Sequence, residues 1–138
     1  MKLLFKPKRL TCEFIVPDIE KSDGVQKVIG FSRGSHHYNS IRLGIRKEND
    51  YCVLYFYAYI KGKRIVQRIS RYYIGELVKC ELRWNDYIEC KANEGYVFRV
   101  APKCSFPIGY MLYPYAEKDG TEGIEVPINI EIINLKIN

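Results

Sequence analysis

The chain has 138 residues, 47% of them hydrophobic, 14% aromatic and 28% charged, which is enough apolar material for one packed domain over residues 1–138 and too aromatic for a disordered segment. Its net charge of +6 is uneven, with +9 over residues 1–71 and −3 over 72–138. The pI near 9.0 is compatible with nucleic acid or an anionic glycan, and equally with plain solvated surface. The longest apolar candidate, Ile124 to Leu135, is broken by Glu125, Asn129 and Glu131 and falls short of the roughly 18 residues of a spanning helix, so no membrane span is expected.

Short apolar or alternating runs, cut by turn residues every 8 to 12 positions or so, predict strands rather than helices. In chain order they are Leu10 to Val16, Val25 to Phe31, Ser40 to Lys47, Tyr51 to Ile60, Arg64 to Tyr72, Leu77 to Arg83, Tyr87 to Ala92, Tyr96 to Ala101, Ile108 to Tyr115 and Ile124 to Ile137. Ten strands without a helix predict an all-β fold, an antiparallel two-sheet sandwich of jelly-roll or concanavalin-like kind.

Turn chemistry predicts register. Two-residue turns at Asn49-Asp50 and Gly62-Lys63 set Ile45 opposite Leu54, Leu43 opposite Phe56, Ile41 opposite Ala58, Phe56 opposite Ile69 and Ile60 opposite Ile65. This face is apolar except for Gln67. The opposite face then carries Arg42, Gly44, Arg46, Val53, Tyr55, Tyr57, Tyr59, Arg64, Val66, Arg68 and Ser70. Further on, a Trp84-Asn85-Asp86 loop sets Leu82 opposite Ile88 and Cys80 opposite Cys90, and a turn at Asn93-Glu94-Gly95 sets Cys90 opposite Phe98 and Ile88 opposite Val100. In the last strand, Ile124, Val126, Ile128, Ile130 and Ile132 alternate inward, and Pro127 demands an edge or a bulge.

Five cysteines, at 12, 52, 80, 90 and 104, form no CxxC pair and follow no metal-ligand spacing, so they read as reduced core thiols. The segment MKLLFKPKRL is too short in apolar residues for a secretory signal. A cytoplasmic chain is the expectation, and a secreted or periplasmic one if a signal has been removed.

The densest polar segment is Gly30 to Ser40, containing His36, His37 and Asn39. Adjacent histidines on an extended chain point to opposite sides and cannot easily ligate one metal, so neither a metal nor a cofactor is expected. No nucleophile elbow or acid–base pair accompanies them, which makes an enzyme the weakest class. Tyrosine occurs 12 times, and a Tyr55, Tyr57, Tyr59 row flanked by Arg42 and Arg68 is chemically suited to stacking on sugar rings or on bases. The same row also reads as core beneath a second layer.

Gly30 to Gly44, with its His-x-x-Asn-Ser loop, the Tyr57-Ala58-Tyr59 strand and Gly62, and Gly109-Tyr110-Met111-Leu112-Tyr113-Pro114-Tyr115 resemble a family of uncharacterised jelly-roll domains frequent in gut Bacteroidetes. That resemblance implies the sandwich fold; the family has no established activity, so it bears on the fold more than on the function. The family pattern continues with Phe-Gly-Gly and Ala-Pro-His-Asp, where this chain has Ala116 to Gly123, so no ligand site carries over from that loop. The expectation is a non-catalytic module that recognises carbohydrate through Tyr55, Tyr57, Tyr59, Arg42 and Arg68, or through the rim residues His36, His37 and Asn39. Single-stranded nucleic-acid binding and a homo-oligomer interface on the same face are the alternatives.

Overall fold

The computed structural model describes residues 3–19, 25–85, 87–93, 97–100, 107–112, 116–117, 125–126 and 130–138, with side chains at all of these except 97–100, 116–117 and 125–126. The strands are β1 (Leu3–Phe5), β2 (Arg9–Ile15), β3 (Gln26–Ser32), β4 (Asn39–Glu48), β5 (Tyr51–Ile60), β6 (Lys63–Tyr73), β7 (Leu77–Trp84), β8 (Ile88–Ala92), β9 (Val97–Val100), β10 (Ile108–Leu112), β11 (Ala116–Glu117), β12 (Glu125–Val126) and β13 (Ile132–Ile137). All pairings among the described residues are antiparallel. One sheet runs β1-β10-β3-β4-β5-β6, a second runs β13-β2-β7-β8-β9, and β11 pairs with β12. Among the described residues there is no helix, and so none long and apolar enough to cross a membrane.

Period-two alternation builds the core. Phe31, Ile41, Leu43, Ile45, Leu54, Phe56 and Ala58 from the six-stranded sheet meet Leu10, Cys12, Phe14, Val78, Leu82 and Ile88 from the five-stranded one, and all are buried in one cluster. Phe31 and Trp84 touch across the two sheets, ring centroids 6.5 Å apart. Burying each such aromatic contributes roughly 1.5–3 kcal/mol, which is why both sheets turn their apolar faces to one another.

The β4–β5 hairpin closes at Asn49-Asp50 with the expected register, Ile45 facing Leu54 and Leu43 facing Phe56. The β5–β6 hairpin differs. Its turn is Lys61-Gly62, with φ of 51° and 78°, so both central residues are left-handed, as a mirror-type turn requires. The turn is held from outside: Asn39 Oδ1 accepts the Lys61 N–H at 3.2 Å and Tyr38 O accepts the Gly62 N–H at 2.9 Å. Phe56 therefore faces Gln67, and Ala58 rather than Ile60 faces Ile65. A slip of two residues preserves strand parity, so the face assignment survives the register error. The register then shifts between Leu54 and Tyr55, leaving Ile69 as an extra residue. Ser70 is thus turned opposite Leu54 and away from the tyrosines.

A second two-residue slip occurs in the β7–β8 hairpin. Trp84 pairs with Ile88 and Leu82 with Cys90, while Cys80 faces Ala92 on one side and Cys12 on the other. Trp84 is buried and its N–H donates to Lys8 O at 2.7 Å, so the largest side chain of the segment stays in the strand and out of the loop. Cys80 and Cys90 are consequently diagonal, not opposed. The β8–β9 register is as expected, Cys90 facing Phe98 and Ile88 facing Val100.

Cys12, Cys52, Cys80 and Cys90 are buried free thiols, and Cys104 lies outside the described residues. The final strand is shorter than its alternation suggests. Ile132 faces Phe14 and Ile137 faces Leu10, with a register shift between Ile133 and Lys136 where Asn134 takes a φ of 52°. Pro127 and the isoleucines at 124 and 128 lie outside the described residues.

Candidate functional site

Register places the expected residues on the outward face of the six-stranded sheet. Arg42 pairs with Tyr57 and Gly44 with Tyr55 across β4 and β5, while Tyr59 pairs with Arg64 and Tyr55 with Arg68 across β5 and β6. Arg42 fits because β3 presents Gly30 opposite it. A Cβ at Gly30 would stand 2.0 Å from Ile41 O and 2.7 Å from Arg42 Cγ.

The tyrosine row is not an open platform. Tyr57 is 7% exposed, Tyr55 9% and Arg42 5%, so the middle of this face is roofed by the chain's own residues. Cations supply part of that roof. Lys27 Nζ stands 3.8 Å from the Tyr57 ring centroid and Arg64 Cζ 5.8 Å from it, Arg46 Cζ is 5.7 Å from Tyr55, and Arg71 Cζ is 5.2 Å from Tyr51. Each such contact contributes about 0.5–2 kcal/mol. The result is a basic layer laid over aromatic rings. Lys27 and Arg71 escaped sequence reasoning, since only the registers bring them over tyrosines that lie 30 and 20 residues away.

Tyr59, half-buried, is where the row meets solvent, and there it meets the His36–Asn39 loop. The loop is a tight turn, Ser35 O accepting the N–H groups of Tyr38 at 3.0 Å and Asn39 at 2.9 Å, and it is closed by Arg33 N–H donating to Asn39 O at 3.0 Å. Because this is a turn and not an extended segment, the two histidines do not point to opposite sides. Their ring centroids are 4.0 Å apart. His37 packs edge-on against Tyr59 at 5.9 Å, and Tyr59 packs edge-on against Tyr57 at 5.9 Å.

On the far side of the loop, the His36 N–H donates to the Tyr110 hydroxyl at 2.9 Å, and the same hydroxyl lies 2.6 Å from His36 Nδ1. The Ser40 hydroxyl donates to His36 O at 2.7 Å. With its oxygen accepting the His36 amide, the phenol is free to donate to Nδ1, which suits a His36 carrying its proton on Nε2. Tyr110, His36, His37, Tyr59 and Arg64 thus form one continuous rim. His37 and Arg64 are exposed. Asn39 is buried, its amide oxygen engaged by Lys61, so it shapes the rim from beneath.

Among the described residues no group of three His, Cys, Asp or Glu side chains is placed to hold a metal ion. A shallow depression of about 390 Å³ opens on the other side of the molecule, over the outward face of the five-stranded sheet, lined by Glu13, Lys79, Glu81, Lys91, Asn134 and Lys136 among others. Its carboxylates are already engaged, Glu81 by Arg9 and Arg83 and Glu13 by Lys79 and Asn134. No protein-family model matches this chain, and no curated protein matches it.

Proposed function

We propose that this chain is a non-catalytic recognition domain for an acidic glycan, read at the rim where Tyr59, His37 and Arg64 converge. The observation that carries the reading is the pairing of Arg64 with Tyr59 across β5 and β6, with His37 edge-on against the same ring. A sugar ring needs one aromatic surface and nearby donors, and a carboxylate or sulfate substituent needs a cation within a few ångströms. The rim supplies all three.

Single-stranded nucleic acid is the competing ligand, and the burial of the row weighs against it. Such proteins stack successive bases on successive open rings, whereas here Tyr55 and Tyr57 are buried with cations over them. The fold is further inferred to be of the jelly-roll kind. Supporting this, strands distant in sequence are neighbours in both sheets, with β10 between β1 and β3 and β2 between β13 and β7.

A glycan array that contains neutral, uronic-acid and sulfated chains, run beside a salt-dependent oligonucleotide titration, tests the proposal. Binding to acidic glycans that falls about tenfold in Arg64→Ala and Tyr59→Ala is expected, each loss corresponding to about 1.4 kcal/mol. Tight oligonucleotide binding with a steep salt slope and no glycan binding would overturn it.

A further inference from the structure

β1 places an unusual group of side chains at the edge of the six-stranded sheet. Leu4 faces Gly109 and packs against the core, while Leu3 and Phe5, paired with Tyr110 and Ile108, project to the other side. Leu3 is 67% exposed, Phe5 75%, and Ile108 beside them 49%. Single exposed apolar residues are ordinary, but three adjoining ones on one face form a patch.

The patch has a basic border. Lys6 is exposed with its Nζ 5.5 Å from the Phe5 ring centroid, and Lys8 is exposed two residues on. Neither Lys6 nor Lys8 forms an ion pair among the described residues. Lys6 takes a φ of 45° and donates its N–H to Pro107 O at 2.5 Å, so the chain turns away immediately after Phe5 and holds the lysine beside it.

Three occupants fit exposed apolar strands in general. An extended peptide would gain little here, because only Leu3 and Phe5 turn backbone groups away from β10 and Pro7 donates none. A second copy would bring two sets of these lysines together. A surface with an apolar interior and negative headgroups satisfies both halves of the patch. We propose that Leu3, Phe5 and Ile108 dock this protein on an anionic lipid surface, the three side chains entering the headgroup boundary while Lys6 and Lys8 face the anionic headgroups. This inference is independent of the glycan reading, since it uses none of the rim residues proposed to bind the glycan.

Co-sedimentation of the full chain with vesicles tests it, comparing pure phosphatidylcholine with phosphatidylcholine mixed with phosphatidylserine. Binding to the mixed vesicles alone, weakened by salt, is expected. Phe5→Ser should lower the partition coefficient by about tenfold, and Lys6→Glu with Lys8→Glu by at least about fivefold per lysine. Arg64→Ala should bind vesicles like the parent chain, and the melting temperatures of the β1-patch variants should be unchanged because the substituted side chains are exposed. The inference is overturned if mixed vesicles are not bound, if Phe5→Ser binds them as well as the parent, or if Arg64→Ala costs as much as the lysine changes. Self-association in vesicle-free solution that Phe5→Ser abolishes would overturn it too, by making the occupant a second copy.

Discussion

The Tyr110 hydroxyl and His36 are bound twice over, through Nδ1 at 2.6 Å and through the backbone N–H at 2.9 Å, across 74 residues of sequence. This pair ties the His36–Asn39 loop to β10 and so sets the position of His37 over Tyr59. Tyr110→Phe removes both bonds and leaves a half-buried N–H without its acceptor, at an expected loss of about 1–3 kcal/mol. Amide exchange should quicken in residues 36–38 while the β4–β5 core stays protected. Unchanged loop exchange would show that the loop is held by Ser35 and Ser40 instead.

Phe56 lies at the centre of β5, fully buried between the sheets. Phe56→Ala should cost about 3–5 kcal/mol in denaturant-unfolding free energy. A loss under about 1 kcal/mol would contradict its place in the core.

Tyr57 and Tyr59 are two residues apart on one face, yet they should respond to alanine differently. Tyr57 is buried beneath Lys27 and Arg64, so Tyr57→Ala should lower the melting temperature by several degrees. Tyr59→Ala should change it less and reduce ligand affinity more. The ratio of the two effects, read by calorimetry and titration on the same samples, separates a roofed residue from a contact residue.

Burial pushes the Cys12 thiol up to about 12, with the Glu13 carboxylate adding to the rise. Cys80 and Cys90 are also raised, burial again being the larger cause, with nearby thiols adding to it. The folded state therefore holds protons that the unfolded chain releases near pH 9.0. Stability from these groups is full below that pH and falls as pH rises towards the folded values, by about 1.4 kcal/mol per unit for each thiol. Cys12→Ala should flatten this alkaline decline, and native thiols should label slowly at neutral pH.

The inward faces were legible because alternation in β4, β5 and β7 survives any error of two residues. The registers themselves were less so. Sequence spacing cannot reveal that Asn39 reaches the Lys61 amide or that Trp84 is worth more buried in β7 than exposed in a loop, since both depend on segments distant in the chain. The rim was half legible: His36, His37 and Tyr59 stood out by composition, but Tyr110 reaches His36 only through the pairing of β10 and β3. The roof over Tyr55 and Tyr57 was unreadable, because a tyrosine row looks the same in sequence whether open or covered.

The extra residue at Ile69 has a consequence for how copies of this protein meet. β6 is the last strand of its sheet and eleven residues long, a length at which an unpaired strand invites intermolecular pairing and open-ended growth. The bulge breaks its flatness after six residues, and Lys63, Arg64 and Arg68 before it and Arg71 after it leave like charges along the strand. Such an edge repels a second copy of itself, so the cations that border the rim also protect the chain from aggregation.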